Sequence, residues 1–205
     1  MSRQSFQLDQ ITLAVLAGGE GSRMGRPKGE LKLNGRPILE DLLERFAWPG
    51  PTLLVTSPGR ERPPGSQRFD NEVADPIPAA GPFRGLMTAL EVVTTPLLAV
   101  VTVDMPHIGP EQIAWLAQHL ANEPLLGVMC TRQADDADQI EPFPLLIRAS
   151  ARDWVAGLMA AGIRSTYRLS QTDLVKAMLA PRQWPATTWM NLNRPEDLTA
   201  FEMMR

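Results

Sequence analysis

The chain has 205 residues, an apolar fraction of 44% and a formal net charge of −3 at pH 7. This length suits one domain over residues 1–205, and the apolar fraction excludes a disordered chain. The weakly acidic charge gives no reason to expect a nucleic-acid partner, and no run reaches the roughly 18 apolar residues of a membrane-spanning helix.

Short apolar runs and helical spacing alternate through the amino-terminal half of the chain. Residues 11–17 form an apolar, partly β-branched run that glycines end, which is typical of a buried strand. Residues 38–46 carry apolar side chains at helical spacing and predict a helix. Two further strands are predicted at residues 52–56 and 72–74, separated by a loop rich in Pro, Gly and Arg.

The carboxyl-terminal half continues the alternation. Gly81-Pro82 begins a predicted helix that runs to about residue 93, because proline is tolerated where the first helical N–H needs no partner. Residues 97–103 are the most strand-like run in the chain and end at Asp104. The other predicted elements are a helix at 110–120, strands at 125–131 and 143–147, a helix at 149–161, strands at 173–179 and 189–192, and a final helix at 195–203.

This alternation predicts an α/β protein with a mostly parallel sheet that helices cover on both faces. Beyond Thr131 the order is mixed, which predicts an antiparallel strand or a small subdomain in the tail. Ligands of open α/β sheets bind beyond the carboxyl ends of the strands. Three features follow predicted strands at that edge: a glycine-rich loop after the first, Asp75 after the third, and Asp104 after the strongest.

The loop at residues 16–28 has the composition of a phosphate-binding loop. Four glycines allow backbone N–H groups to approach an anion closely and to form concave nests: Gly18, Gly19, Gly21 and Gly25. Arg23 and Lys28 add fixed positive charge suited to a polyphosphate. The loop lacks the Gly-Lys-Ser/Thr ending of a Walker A motif and the third glycine of a dinucleotide-binding fingerprint. An exposed turn with ordinary surface charges is the alternative interpretation.

Four polar side chains are candidate ligands for a metal or for phosphate. Asp104, directly after a buried strand, can hold Mg²⁺, a hard cation that prefers oxygen ligands, or it can cap a helix or form a turn. Asp75 is a candidate nucleotide contact, although Asp-Pro also starts turns. Asn191 and Asn193 face the same side if their segment is extended, and they can instead cap the helix that follows.

The combined pattern of motifs extends over nearly the whole chain. In order, the motifs are Leu16-Ala-Gly-Gly, Arg23-Met-Gly, Lys28, Gly81-Pro-Phe-Arg-Gly85, Asp104-Met-Pro106, Glu141-Pro-Phe-Pro144, Ala161-Gly-Ile-Arg-Ser165 and Asn191-Leu-Asn-Arg-Pro-Glu-Asp-Leu198. Together they resemble the molybdenum cofactor guanylyltransferase family, within the wider group of nucleotide-sugar-type nucleotidyltransferases. The first motif is typical of the superfamily, and the last narrows the resemblance to this family.

The resemblance implies a Rossmann-like three-layer α/β/α fold and the transfer of GMP from GTP to the terminal phosphate of molybdopterin, with release of pyrophosphate. It implies Mg²⁺ as the cofactor, held by Asp104, and a catalytic set of Arg23, Lys28 and Asp104. The implied nucleotide-binding residues are Leu16, Ala17, Gly18, Gly19, Lys28, Asp75, Gly81 and Asp104. The implied acceptor-binding residues are Arg164, Ser165, Asn191 and Asn193.

Base choice depends on the loop. Guanine users in this superfamily resemble Leu-Ala-Gly-Gly and cytidine users Leu-Ala-Ala-Gly, so Gly18 favours GTP over CTP. Arg26-Pro27 before Lys28 looks more like the cytidine users, and Pro58 stands where a nucleoside-contacting asparagine is typical. The alternatives are a CTP-dependent molybdopterin cytidylyltransferase, a sugar-phosphate nucleotidyltransferase, and a nucleotide-binding regulator without turnover. A dinucleotide-dependent oxidoreductase is disfavoured by the missing glycine fingerprint.

The predicted partners are GTP and molybdopterin, with transient contacts to a molybdoenzyme or to other proteins of cofactor biosynthesis, and with neither nucleic acid nor membrane. The polar first ten residues lack a signal-peptide pattern, so we expect a cytoplasmic protein. Cys130 is the only cysteine, which excludes an internal disulfide and a cysteine metal cluster, and it is predicted to lie in the core.

Overall fold

The structure is a computed structural model that describes residues 7–19, 21–59, 61–77, 81–121, 123–134 and 137–204. Its strands are β1 (Ile11–Leu16), β2 (Lys32–Leu33), β3 (Arg36–Pro37), β4 (Thr52–Thr56), β5 (Asn71–Ala74), β6 (Leu97–Thr102), β7 (Gly127–Ala134), β8 (Ala137–Arg148) and β9 (Val175–Leu179). Its α-helices are α1 (Ile38–Phe46), α2 (Pro82–Val92), α3 (Pro110–Ala121), α4 (Arg152–Ala160) and α5 (Pro195–Met203). Each predicted helix is therefore confirmed, with small changes at the ends.

A seven-stranded sheet forms the centre of the described chain, in the order β5-β4-β1-β6-β8-β7-β9. Strand β1 pairs in parallel with β4 and β6, and β4 pairs in parallel with β5. Strand β8 is antiparallel to both of its neighbours, whereas β7 and β9 are parallel to each other. Within this sheet β8 alone runs against the other strands, which confirms the antiparallel strand predicted for the tail.

The order in which the chain visits the strands places helices on both faces of the sheet. From β1 the chain crosses through α1 to β4, and from β5 it crosses back through α2 to β6 on the other side of β1. Because crossovers between parallel strands are right-handed, these opposite directions put α1 and α2 on opposite faces. The three-layer α/β/α architecture follows. The direction reverses between β1 and β6, where open sheets form a ligand-binding crevice at the carboxyl ends of the strands.

The strand predicted at residues 189–192 is absent, and that prediction is wrong. The segment begins as a 3-10 turn, Ala186–Trp189, after Pro185. The N–H of Leu192 then donates to the backbone carbonyl of Asp104 at 2.8 Å. The backbone groups are therefore satisfied by a local turn and by the loop after β6, and not by a neighbouring strand. Apolar side chains in this segment are buried, which explains why the sequence looks like a strand.

A small hairpin of β2 and β3 is missing from the predicted elements. Asn34 and Gly35 connect its strands with φ values of 50° and 81°. Two successive positive φ angles are the geometry of the tight turns that Asn-Gly favours, so the sequence carried a signal for this hairpin. The N–H of Asn34 donates to the carboxylate of Glu202 at 2.8 Å, which ties the hairpin to α5.

Candidate active site

The glycine-rich loop follows β1 and returns to the sheet at Lys28. Gly21 has a φ of +57°, and a Cβ there would stand 2.0 Å from the carbonyl oxygen of Arg26, so only glycine fits. The N–H of Met24 donates to the Gly21 carbonyl at 2.8 Å, and the N–H of Lys28 donates to the Gly19 carbonyl at 3.3 Å. These bonds close the loop on itself and return Lys28 to the carboxyl end of β1.

A cation and a carboxylate meet beneath this loop. The Nζ of Lys28 donates to Oδ2 of Asp104 in an ion pair, and to Oδ1 of Asn193 at 2.7 Å. The Lys28 and Asp104 side chains are 20% and 11% exposed, so both charges are mostly shielded from solvent. Asn193 is itself oriented by Asp197, whose Oδ2 accepts from its N–H at 2.9 Å at the start of α5. Three distant segments of the chain therefore converge on one ion pair.

Asp104 retains one carboxylate oxygen for a further ligand. Among the described residues, its Oδ1 is buried without a hydrogen-bond partner, whereas its Oδ2 accepts from Lys28. A buried polar atom without a partner is unfavourable, and a bound cation would remove that penalty. The described residues contain no group of three or more His, Cys, Asp or Glu side chains that could hold a metal by themselves. The site therefore fits a cation such as Mg²⁺ that is held by one carboxylate together with the phosphates of a substrate.

A second buried carboxylate, Asp75, lies after β5, on the other side of β1 from β6. Its Oδ1 accepts from the Nε of Arg84 at 3.3 Å and from the N–H of Ile77 at 3.1 Å. Arg84, on the first turn of α2, also donates to Glu91 at 3.3 Å. The orientation of the Asp75 carboxylate is therefore set from helix α2.

Helix α2 begins at the same opening. Gly81 precedes the helix with a φ of +79°, and a Cβ there would meet no atom within 4 Å. The positive φ favours glycine, and the open space on that side belongs to the cavity. Pro82 occupies the first turn of the helix, where its missing N–H is tolerated. The positive end of the helix dipole therefore faces the region where an anion would bind.

These parts surround a cavity of about 350 Å³ at the carboxyl ends of β1, β4, β5 and β6. That volume is in the range of small-molecule sites. The wall combines apolar strand residues with one cation, two carboxylates and exposed glycine backbone. The lining residues are Leu16, Gly18, Gly19, Gly21, Lys28, Val55, Thr56, Ser57, Asp75, Ile77, Gly81, Pro82, Gly85, Thr102, Val103 and Asp104.

Most of the sequence-predicted nucleotide-binding residues line this cavity, namely Leu16, Gly18, Gly19, Lys28, Asp75, Gly81 and Asp104. Ala17 is buried behind the lining, and its N–H donates to the carbonyl of Val55 at 2.8 Å. Arg23 is an exposed residue of the loop and is absent from the lining. The cavity therefore brings together the phosphate-binding candidates but not the guanidinium of Arg23.

The two asparagines of the last motif have different surroundings. The side-chain oxygen of Asn193 accepts from Lys28, whereas the side-chain amide of Asn191 donates to the carbonyl of Trp189 at 3.1 Å. A turn at residues 186–189 precedes these two asparagines, and in the structure their side chains have different partners. Asn193 therefore belongs with Lys28 and Asp104, whereas Asn191 stabilises the turn.

Arg164 and Ser165 lie in the exposed segment after α4 and do not line the described cavity. The Nη1 of Arg164 donates to the carbonyl oxygens of Met159 at 2.5 Å and Ile163 at 2.9 Å. This guanidinium therefore completes the end of α4, where helix carbonyls need partners. Its role toward an acceptor stays a prediction.

Sequence reasoning missed several residues of the cavity. Ser57 follows β4, and its hydroxyl donates to the carbonyl oxygen of Gly18 at 2.6 Å. Ile77 lies at the opening with 53% of its surface exposed, and Thr102 ends β6. The rule that ligands bind beyond the carboxyl ends of the strands would have identified Ser57, which directly follows the strand predicted at residues 52–56. Thr102 lies inside the strand predicted at residues 97–103, so the rule does not identify it. No local pattern indicates that Arg84 contacts Asp75.

In the described part of the chain, no helix is long and apolar enough to cross a membrane.

Known proteins resemble this chain along almost its full length. The molybdenum cofactor guanylyltransferase of Xanthomonas euvesicatoria pv. vesicatoria is 31% identical over 190 residues, which cover 90% of this chain and 90% of that protein. The molybdenum cofactor guanylyltransferase of Vibrio cholerae serotype O1 is 27% identical over 202 residues, which cover 96% of this chain and 94% of that protein.

Solved structures share the fold. The molybdopterin-guanine dinucleotide biosynthesis protein A of Archaeoglobus fulgidus superposes with a TM-score of 0.76 at 24% identity, covering 94% of this chain and 97% of that one. Residues 13–176 match the family described as MobA-like NTP transferase domain. That range includes all of β1 except its first two residues, and it includes the glycine loop, Lys28, Asp75 and Asp104. The chain therefore belongs to the MobA-like NTP transferase domain family, as its motifs indicated.

Proposed function

We propose that this protein is a magnesium-dependent nucleotidyltransferase that transfers GMP from GTP to the terminal phosphate of molybdopterin and releases pyrophosphate. The observation that carries the proposal is the buried Asp104, whose Oδ1 has no partner among the described residues and whose Oδ2 pairs with Lys28. The names of the two guanylyltransferase relatives support the choice of both substrates. The cavity at the sheet edge provides the space for the nucleotide.

The phosphates of the nucleotide would bind where the glycine loop meets the ion pair. Backbone N–H groups of the loop bind phosphate oxygens, and Lys28 supplies a positioned cation. Lys28 contacts Asp104 in this structure, so we expect its Nζ to move from the carboxylate to the phosphates when the nucleotide binds. Asp104 would then hold Mg²⁺, which neutralises phosphate charge when bound.

The reaction itself needs positioning more than proton transfer. An oxygen of the acceptor phosphate attacks the α-phosphorus of GTP and forms a new P–O bond. The bond from the α-phosphorus to the bridging oxygen of the β-phosphate breaks, and pyrophosphate leaves with that oxygen. The attacking phosphate is already ionised near neutral pH, so no residue has to act as a general base. Lys28 and the loop amides stabilise the charge that moves onto the leaving group.

The choice between GTP and CTP depends on which residues of the glycine-rich loop line the cavity. Gly18 lines the cavity, whereas Arg26 and Pro27, the two residues that resemble the cytidine users, are absent from its lining. We therefore weight Gly18 more heavily and propose GTP over CTP. A site that hydrogen-bonds one base discriminates strongly against the other, because its polar groups would be left unpaired.

The test measures each nucleotide with and without metal. Thermal-shift measurements with ATP, GTP, CTP and UTP, each with Mg²⁺ or with EDTA, should give the largest stabilisation with GTP and Mg²⁺. Pyrophosphate release should then require GTP, Mg²⁺ and molybdopterin together, with each omitted in turn as a control. A preference for CTP would overturn the guanine assignment. Nucleotide binding without pyrophosphate release would favour the regulator, and release without metal would contradict the role of Asp104.

A further inference from the structure

Gly18 and Ser57 contact each other in the wall of the cavity, and this contact is called the interlock below. The Ser57 hydroxyl donates to the Gly18 carbonyl oxygen at 2.6 Å. A Cβ placed on Gly18 would stand 2.8 Å from that same Oγ, closer than real Cβ atoms come to a neighbour. The hydroxyl of Ser57 therefore does two things: it holds the peptide group of residue 18 in one orientation, and it occupies the space that a side chain there would need.

The close contact at position 18 comes from the Ser57 hydroxyl and not from the backbone conformation of Gly18. Gly18 is not among the glycines with positive φ, so its conformation is open to alanine. The next nearest atoms to a Cβ on Gly18 would be the backbone N of Ser57 at 3.4 Å and the carbonyl carbon of Thr56 at 3.5 Å, which are tolerable distances. Removing only the hydroxyl of Ser57 would therefore make room for a methyl group at position 18.

The neighbouring Gly19 provides a contrast. A Cβ on Gly19 would meet only the Lys28 side chain, with Cδ at 3.4 Å and Cγ at 3.7 Å. Those atoms belong to a long flexible side chain that can shift by a few tenths of an ångström. The restriction on side chains in this pair of adjacent glycines therefore falls on position 18, which is the position that separates Leu-Ala-Gly-Gly from Leu-Ala-Ala-Gly.

The interlock lies on the side of the cavity where the base would bind. Asp104, whose carboxylate pairs with the Nζ of Lys28, follows β6, whereas Ser57 follows β4 and Asp75 follows β5. Neighbouring strands are about 4.8 Å apart, so β4 lies roughly 10 Å from β6 across β1. That separation is comparable with the distance between the phosphates and the base of a nucleotide. The Gly18 peptide is then close to the base edge.

We propose that Ser57 is a positioning residue for base choice: by fixing the Gly18 peptide, its hydroxyl presents the backbone groups of the loop to guanine and not to cytosine. This proposal rests on the proposed function, since it takes a nucleotide in this cavity. Guanine and cytosine carry different patterns of donors and acceptors on their edges. A peptide group held in one orientation matches one pattern, whereas a peptide that can rotate accommodates both.

The experiment compares the wild type with Ser57→Ala, Gly18→Ala and the double variant of these two substitutions. Gly19→Ala, with and without Ser57→Ala, is the matched control. Two quantities are measured. The first is stability to urea without nucleotide. The second is the ratio of kcat/KM for GTP to kcat/KM for CTP, from pyrophosphate release. The ratio separates base choice from a merely structural effect, which would change both nucleotides equally.

Ser57→Ala should lower the GTP-to-CTP ratio about fivefold, the effect of one hydrogen bond of average strength. Gly18→Ala should be less stable than the wild type, and adding Ser57→Ala should restore part of that stability. The Gly19→Ala variant should gain nothing from Ser57→Ala, because its methyl group would contact Lys28.

Three results would overturn these expectations separately. A GTP-to-CTP ratio within twofold of the wild-type value in Ser57→Ala would refute the role in base choice. A double variant no more stable than Gly18→Ala would refute the interlock. A wild-type protein that transfers neither nucleotide would refute the proposed function and base choice with it, while the urea measurements without nucleotide would still decide whether the interlock exists.

Discussion

Asn193 provides the sharpest test of how the site is assembled. The resemblance assigns it to the acceptor, but its Oδ1 accepts from the Nζ of Lys28 at 2.7 Å. Asn193→Ala removes that acceptor and leaves Asp104 as the partner of Lys28. We therefore expect the variant to have a lower kcat/KM for GTP, because Lys28 would be less well positioned for the phosphates.

The size of the decrease in kcat/KM follows from the strength of the hydrogen bond that Asn193→Ala removes. A hydrogen bond to a charged group contributes about 1.5–3 kcal/mol. The lower value applies here, because Lys28 is 20% exposed and keeps its ion pair with Asp104. A loss of about 1.5 kcal/mol corresponds to a roughly tenfold decrease in kcat/KM for GTP. The measurement is pyrophosphate release at saturating acceptor, with GTP varied.

Asn191→Ala is the matched control, since the Asn191 amide donates to the Trp189 carbonyl at 3.1 Å and not to the ion pair. Its kcat/KM for GTP at saturating acceptor should stay within about twofold of the wild-type value, because the Asn191 side chain bonds the Trp189 carbonyl and leaves the position of Lys28 unchanged. Arg164→Ala should weaken acceptor binding while GTP affinity is kept. If Asn193→Ala raised only the KM for the acceptor, the contact with Lys28 would have no functional weight and the acceptor role would stand.

The other predictions concern charge. Asp104→Asn should abolish metal-dependent transfer while the far-UV circular dichroism is unchanged, and near wild-type turnover would exclude Asp104 as the metal ligand. Lys28→Ala should reduce kcat on the order of 10²-fold or more, like the loss of one preorganised donor. Arg23→Ala, predicted from the sequence to act similarly, tests whether this exposed residue reaches the phosphates; full activity would remove it from the catalytic set. Burial raises the pKa of the Cys130 thiol to about 12, with the Glu141 charge adding to the effect. The folded state keeps this proton after the unfolded thiol has lost its own, so the free energy of unfolding should fall as pH rises above about 9, by up to about 1.4 kcal/mol per pH unit. Urea titrations should show a smaller fall for Cys130→Val, and equal falls would contradict the raised pKa.

The sequence by itself determined the parts of this protein that depend on local patterns. Strands such as β1 and β6 are continuous apolar runs because both faces are covered, and a run of that kind is visible without a structure. The loop glycines, Lys28 and Asp104 could be found because carboxyl ends of parallel strands share one edge of the sheet. Knowing the order of elements was therefore enough to predict where the nucleotide-binding candidates would meet.

Only the tertiary structure decided which side chains touch. Asn193 reaches Lys28 across a sequence separation of 165 residues, and Ser57 reaches the Gly18 carbonyl across a separation of 39. Hydrophobic periodicity has a period of a few residues, so it carries no information about contacts over such separations. The same limit explains why the strand predicted at residues 189–192 is wrong. The apolar side chains of this segment are buried by packing near the loop after β6 and not by strand pairing. Contacts of this kind depend on strand order and on the direction of each side chain, which folding of the whole chain sets.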